Sequence, residues 1–120
     1  VEKATAKNTL LLVDCYAHWC PPCRRAAPVF ARMSEEYSSS VVFAKVDVDK
    51  APDLAAIFGV RVLPTFKLFR SSPMTPVQII GAPRSGGLTE LVSLRGWDER
   101  GLRQQLEAHG ARPARLDELE

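Results

Sequence analysis

Four runs of strand length and three stretches of helical character organise the chain. Residues 10–17, Leu-Leu-Leu-Val-Asp-Cys-Tyr-Ala, are apolar or aromatic apart from one acid. A short run without polar alternation predicts a strand buried on both faces, as in a parallel sheet. After Pro21 and Pro22, the residues Ala27, Phe30, Met33 and Tyr37 recur at helical spacing and predict a helix to about residue 37. Proline suits a first helical turn, where its missing N–H would have no partner. Pro28 falls inside the helix and predicts a kink. Ser38-Ser39-Ser40 reads as a loop and residues 41–47 as a second buried strand. Residues 52–58 read as a short helix closed by Gly59, and 65–69 and 89–94 as two further strands. Asp98 is placed to cap a last helix that carries Leu102 and Leu106 and ends near Gly110. The order βαβα followed by ββα predicts an α/β sandwich around a mixed sheet.

Residues 71–88 do not fit this rhythm. They hold Pro73, Pro76 and Pro83 with Gly81, Gly86 and Gly87, and read as a long inserted loop. Residues 77–80, Val-Gln-Ile-Ile, could add a short strand that pairs with 89–94 as a hairpin. The expected organisation is one domain over 1–110, followed by a polar tail, 111–120, that is either frayed or docked.

Composition narrows the function classes. The chain has 120 residues, of which 46% are hydrophobic, enough for one domain with a real core. Sixteen basic residues against fourteen acidic ones leave a net charge of +2, too balanced for nucleic acid or a membrane surface as the main partner. No apolar run approaches the roughly 20 residues that span a bilayer. Three cysteines are too few for a disulfide-stapled secreted scaffold, so the expected compartment is cytoplasmic. The first residue, Val1, is not a methionine, which leaves room for an organellar targeting segment upstream.

Chemistry concentrates in Trp19-Cys20-Pro21-Pro22-Cys23. Cys-x-x-Cys between a strand and a helix reads as a redox dithiol. At a helix N-terminus, backbone N–H groups and the macrodipole stabilise a thiolate on Cys20, and Arg24 and Arg25 add positive charge. Cys23, one turn on, can resolve the mixed disulfide that Cys20 forms. Resolution requires a proton acceptor for Cys23. Asp14 is the candidate: an acid in a buried strand favours its neutral form and should titrate high. Lys45, on the neighbouring strand, could moderate that shift. Cys20 and Cys23 could instead be half of a zinc site, with Cys15 and His18 nearby as two further ligands, but Cys15 sits within a strand, three residues from His18, and structural zinc sites use paired short spacings, so no metal is expected. Cys15 then reads as a small buried hydrophobe, or more sharply as a regulatory thiol. His18 reads as an exposed neighbour in preference to a catalytic base.

Val13-Asp14, Trp19-Cys20-Pro21-Pro22-Cys23, Ala27-Pro28, Ala44-Lys45-Val46-Asp47 and Gly59-Val60-Arg61-Val62-Leu63-Pro64-Thr65-Phe66, in this order and spacing, resemble thioredoxin. Gly96-Trp97-Asp98 followed by Leu102 resembles the family's groove glycine and last helix. The likeness runs from about Leu10 to His109 and implies the thioredoxin fold, with its usual first strand missing before Thr9 and a long insert before the last strand. It implies that Pro64 is the cis-proline facing the dithiol. It also implies that Trp19, Leu63, Gly96 and Trp97 line the groove for substrate main chain. Gly81 competes with Gly96 for the groove position, but Gly81-Ala82-Pro83 leads into Arg84-Ser85-Gly86-Gly87, which cannot begin a good helix. Pro-Pro stands where the family usually has Gly-Pro between the cysteines, and Pro21 and Pro22 are expected to tune the couple. Tryparedoxins carry the same five-residue motif. Tyr16 replaces a common tryptophan.

The function expected is reduction of protein disulfides through the Cys20/Cys23 dithiol, without a bound cofactor. Electrons would come from a flavoprotein reductase or a low-molecular-weight dithiol, and the protein would act as a monomer. The alternatives are a tryparedoxin-like reductase serving peroxidases and a binding or adaptor module with little turnover.

Overall fold

A computed structural model describes residues 9–71 and 88–114. Four strands form one sheet: β1 (Thr9–Tyr16), β2 (Val41–Asp47), β3 (Thr65–Ser71) and β4 (Leu88–Arg95), in the order β2-β1-β3-β4. β1 runs parallel to β2 and antiparallel to β3, and β3 runs antiparallel to β4. The helices are α1 (Pro21–Glu36), α2 (Pro52–Ile57) and α3 (Glu99–Ala108). This is the mixed α/β sheet that the pattern predicts. Residues 77–80, Gly81, the residues before Thr9 and most of the tail lie outside the described residues.

β1 is central and buried on both faces. Leu10 and Leu12 join one core cluster, with Phe30 and Met33 of α1 and Leu102 and Leu106 of α3. Leu11, Val13 and Cys15 join a second, with Leu54 of α2, Phe58 and Phe69. Alternation along the strand sends successive side chains to opposite faces, so an unbroken apolar run is what a covered central strand requires.

Three expectations need correction. β2 is not fully buried: it is an edge of the four described strands, and only Val41 and Val46 are buried. The buried line of α1 is Cys23, Ala26, Phe30 and Met33, continued by Tyr37, with Ala27 only partly covered. Counting from Cys23, steps of three and four select Ala26, not Ala27. Asp98 occupies the N-cap position of α3, but its side chain makes no capping hydrogen bond. The helix α1 continues through Pro28.

Two glycines close helices in the left-handed conformation that side chains resist: Gly59 after α2 (φ 69°) and Gly110 after α3 (φ 104°). Beyond α3 the chain stays attached. Ala111 is buried in the α1/α3 core, and the Ala114 N–H donates to the Glu36 carbonyl at 2.7 Å. Arg103 of α3 links the two helices through Glu36 at 2.8 Å and pairs within α3 with Glu99 at 2.9 Å.

Candidate active site

The site forms where β1 ends and α1 begins. A turn, with the Cys20 N–H donating to the Ala17 carbonyl at 3.3 Å, reverses the chain between them. Cys20 is the N-cap of α1, in extended conformation, and its sulfur accepts the Cys23 N–H at 3.2 Å. Pro21 and Pro22 fill the first turn, where no N–H is needed. Cys20 and Cys23 are disulfide-paired, with Cα atoms 5.2 Å apart. Both sulfur-bearing residues are nearly buried and cluster with Ala17, Tyr16, Val48 and Leu63.

Asp14 lies on the β1 face that carries α1, alternating with Cys15 on the other. It is 2% exposed, and among the described residues its Oδ1 has no hydrogen-bond partner. Burial pushes its pKa from 3.8 up to about 6, and the charge of Lys45 works against that rise. Lys45 is the registered neighbour of Asp14 on β2, and its Nζ lies 4.5 Å from the centroid of the Tyr16 ring. A carboxyl group that is poised to change charge near neutral pH, with an unused oxygen, can accept and return a proton.

The Leu63–Pro64 peptide is cis, and Pro64 is buried. The Gly96 N–H donates to the Pro64 carbonyl at 2.7 Å, so the β4–α3 corner sits against the Pro64 loop. Gly96 has a φ of 84°, and a Cβ there would meet nothing within 4 Å; the backbone on that side is open to an approaching chain. Thr65 Oγ1 braces the Pro64 loop by donating to the Val62 carbonyl at 2.7 Å. Trp97 is partly buried, and its ring lies 5.4 Å from that of Phe66. It therefore packs α3 onto the sheet as well as flanking Gly96.

Trp19 is 64% exposed, and its indole N–H donates to Asp49 Oδ2 at 2.8 Å. The neighbouring His18 places Nε2 3.2 Å from Asp47 Oδ2. The sequence does not single out Asp47 or Asp49 as site residues: Asp47 ends β2 and Asp49 lies two residues on, a spacing that does not point at Trp19. Cys15 stands apart on the opposite sheet face, its thiol pushed up to about 12 by burial, then by the Asp14 charge, with Lys67 opposing. Such a thiol is not nucleophilic at neutral pH. No described helix is long and apolar enough to cross a membrane.

Known proteins are similar to this chain in sequence and fold. The thioredoxin family model matches residues 1–93. Thioredoxin H4 of Arabidopsis thaliana is 35% identical over 96 residues, covering 80% of each chain. A thioredoxin of Porphyra purpurea is 40% identical over 75 residues, 62% of this chain and 70% of the relative. Among solved structures, Fasciola hepatica thioredoxin superposes with a TM-score of 0.68 at 32% identity, over 87% of this chain and 84% of its own.

Proposed function

The chain belongs to the thioredoxin family and is a thiol–disulfide oxidoreductase, and from that premise we propose that it works as a reductase of protein disulfides, with Cys20 attacking and Cys23 resolving. The Cys20 thiolate attacks one sulfur of a substrate disulfide. A Cys20–substrate bond forms, the substrate S–S bond breaks, and the leaving sulfur takes a proton. Asp14 receives the Cys23 proton, and the Cys23 thiolate attacks Cys20. The second substrate sulfur departs as a thiolate and takes up the proton that Asp14 returns, and two electrons have moved from the dithiol to the substrate.

The observation that carries this reading is Cys20 at the cap of α1. The helix directs N–H groups toward that sulfur, while Cys23 sits one turn behind. Gly96 and the Pro64 loop, joined by their 2.7 Å hydrogen bond, would offer backbone to an extended substrate chain, with Leu63 packed against the two cysteines and Trp19 directly before Cys20. Pro21 and Pro22 keep the first turn stiff and remove an N–H that glycine would aim at the sulfur.

Disulfide-bearing proteins and an upstream reductant are the partners that the family implies in general terms. A flavoprotein reductase or small dithiol as that reductant, a monomeric state and a cytoplasmic setting complete the proposal. It is tested by reduction of insulin disulfides with dithiothreitol as electron donor. Catalysed precipitation of the insulin B chain that requires both Cys20 and Cys23 supports it. A wild-type protein that accelerates reduction no more than its Cys20→Ser variant refutes it and favours an adaptor.

A further inference from the structure

The turn that carries Cys20 is tied to the turn after β2 at two adjacent residues. Trp19 Nε1 donates to Asp49 Oδ2 at 2.8 Å, and His18 Nε2 lies 3.2 Å from Asp47 Oδ2. The other oxygen of Asp47 accepts the backbone N–H groups of Asp49 at 3.0 Å and Lys50 at 3.4 Å. Asp47 therefore shapes the turn that presents Asp49 to Trp19. Arg24 of α1 donates to the His18 carbonyl at 3.0 Å, and the Tyr16 ring meets the imidazole edge-on at 5.3 Å between centroids. His18 is thus held by β1, by α1 and by the turn after β2, directly before the exposed indole and the attacking sulfur.

An ion pair between two exposed side chains contributes little. Here one partner is different. The Asp47 side chain is only 9% exposed and already engaged with backbone, while that of His18 is 73% exposed. The carboxylate is a built acceptor, and the imidazole is the movable part that docks onto it. Breaking the contact removes the side-chain tie from His18 to Asp47; the Arg24 bond to the His18 carbonyl and the Val48 N–H bond to the Tyr16 carbonyl at 2.9 Å remain, and the Trp19 side chain keeps its indole bond to Asp49.

We propose that His18 is a positioning residue for substrate capture: with Asp47 it locks the Cys20 turn to the turn after β2, and so holds Trp19 as a fixed apolar wall beside the dithiol. This rests on the reading of Cys20 and Cys23 as a protein-reducing pair. A wall that is already ordered need not be immobilised when substrate docks, so the contribution falls on binding. The sulfur chemistry should be unaffected, because the His18 Nε2 is engaged by Asp47 at 3.2 Å.

The test uses the pre-reduced protein mixed with rising concentrations of insulin under single-turnover conditions. This yields a half-saturating concentration and a limiting rate. His18→Ala is expected to raise the half-saturating concentration about three- to tenfold, the worth of one partly exposed hydrogen bond and the ordering it secures. The limiting rate and the rate of Cys20 alkylation by iodoacetamide should stay within about twofold of wild type. His18→Gln keeps a donor and should recover most of the loss. The indole N–H resonance of Trp19, assigned with Trp19→Phe, should shift in His18→Ala and return in His18→Gln. An unchanged half-saturating concentration in His18→Ala overturns the proposal, as does an equal fall in limiting rate and alkylation, or no recovery with glutamine. A wild type that does not reduce insulin overturns the reductase reading instead, which separates the two failures.

Discussion

Replacing Asp14 with asparagine should stabilise the oxidised protein at neutral pH and leave it nearly unchanged in acid. Burial raises the Asp14 pKa in the fold to about 6, against 3.8 for the free side chain. The folded chain therefore holds a proton between those values that the unfolded chain has released. Stability falls as pH rises through that window, and the loss is complete above about pH 6. A shift of that size, with the opposing charge of Lys45 already included, corresponds to roughly 3 kcal/mol, an upper figure because local rearrangement softens the charge. Asparagine carries no charge at any pH, so its stability does not follow this curve. Urea unfolding of oxidised wild type and Asp14→Asn, measured from pH 4 to pH 8, should give curves that diverge with rising pH. The variant should gain roughly 2–3 kcal/mol relative to wild type across the range. Parallel curves, or a relative gain on the acid side, refute the argument that the buried carboxyl is charged at a cost. Insulin reduction by the variant should be slowed above pH 6, because the proton acceptor for Cys23 is gone.

Three further outcomes follow from single positions. Gly101 lies in the first turn of α3, and a Cβ there would come 3.0 Å from Asp98 Oδ2, the end of an exposed side chain that makes no capping bond. Gly101→Ala should therefore gain about 0.5–1 kcal/mol from helix propensity, read as a higher Tm, and a lower Tm contradicts that balance. Alkylation of the reduced protein near pH 7 should mark Cys20 first and Cys15, whose thiol is pushed up to about 12, last; equal rates for Cys20 and Cys23 sink the assignment of the attacking sulfur. Gly96→Asp should fold with a strain penalty of about 1–2 kcal/mol at its positive φ and lose insulin reduction while Cys20 alkylation persists; retained reduction removes Gly96 from the groove.

The central features were legible because they are local. β1 announces itself by an apolar run that both faces need, and Cys20-Pro21-Pro22-Cys23 by proline and cysteine in one turn. Asp14 stood out as the one acid in that run, and burial accounts for its raised pKa. What could not be read depends on neighbours far along the chain. The edge position of β2 follows from which strands pair, not from its own residues. Asp98 sits at the cap position as its type suggests, yet its carboxylate makes no bond to the helix N–H groups. The links from His18 to Asp47 and from Trp19 to Asp49 join turns brought together by the parallel pairing of β1 and β2, and no local pattern in either turn signals them.

The account turns on Cys20 as the sulfur that bonds substrate and Cys23 as the one that releases it. The direct measurement is mass spectrometry of Cys23→Ser after reaction with oxidised insulin. The predicted result is a stable one-to-one mixed disulfide mapped to Cys20, absent in Cys20→Ser and cleared by dithiothreitol. An adduct mapped to Cys15, or no adduct at all while the variant still reduces insulin at the wild-type rate, contradicts it.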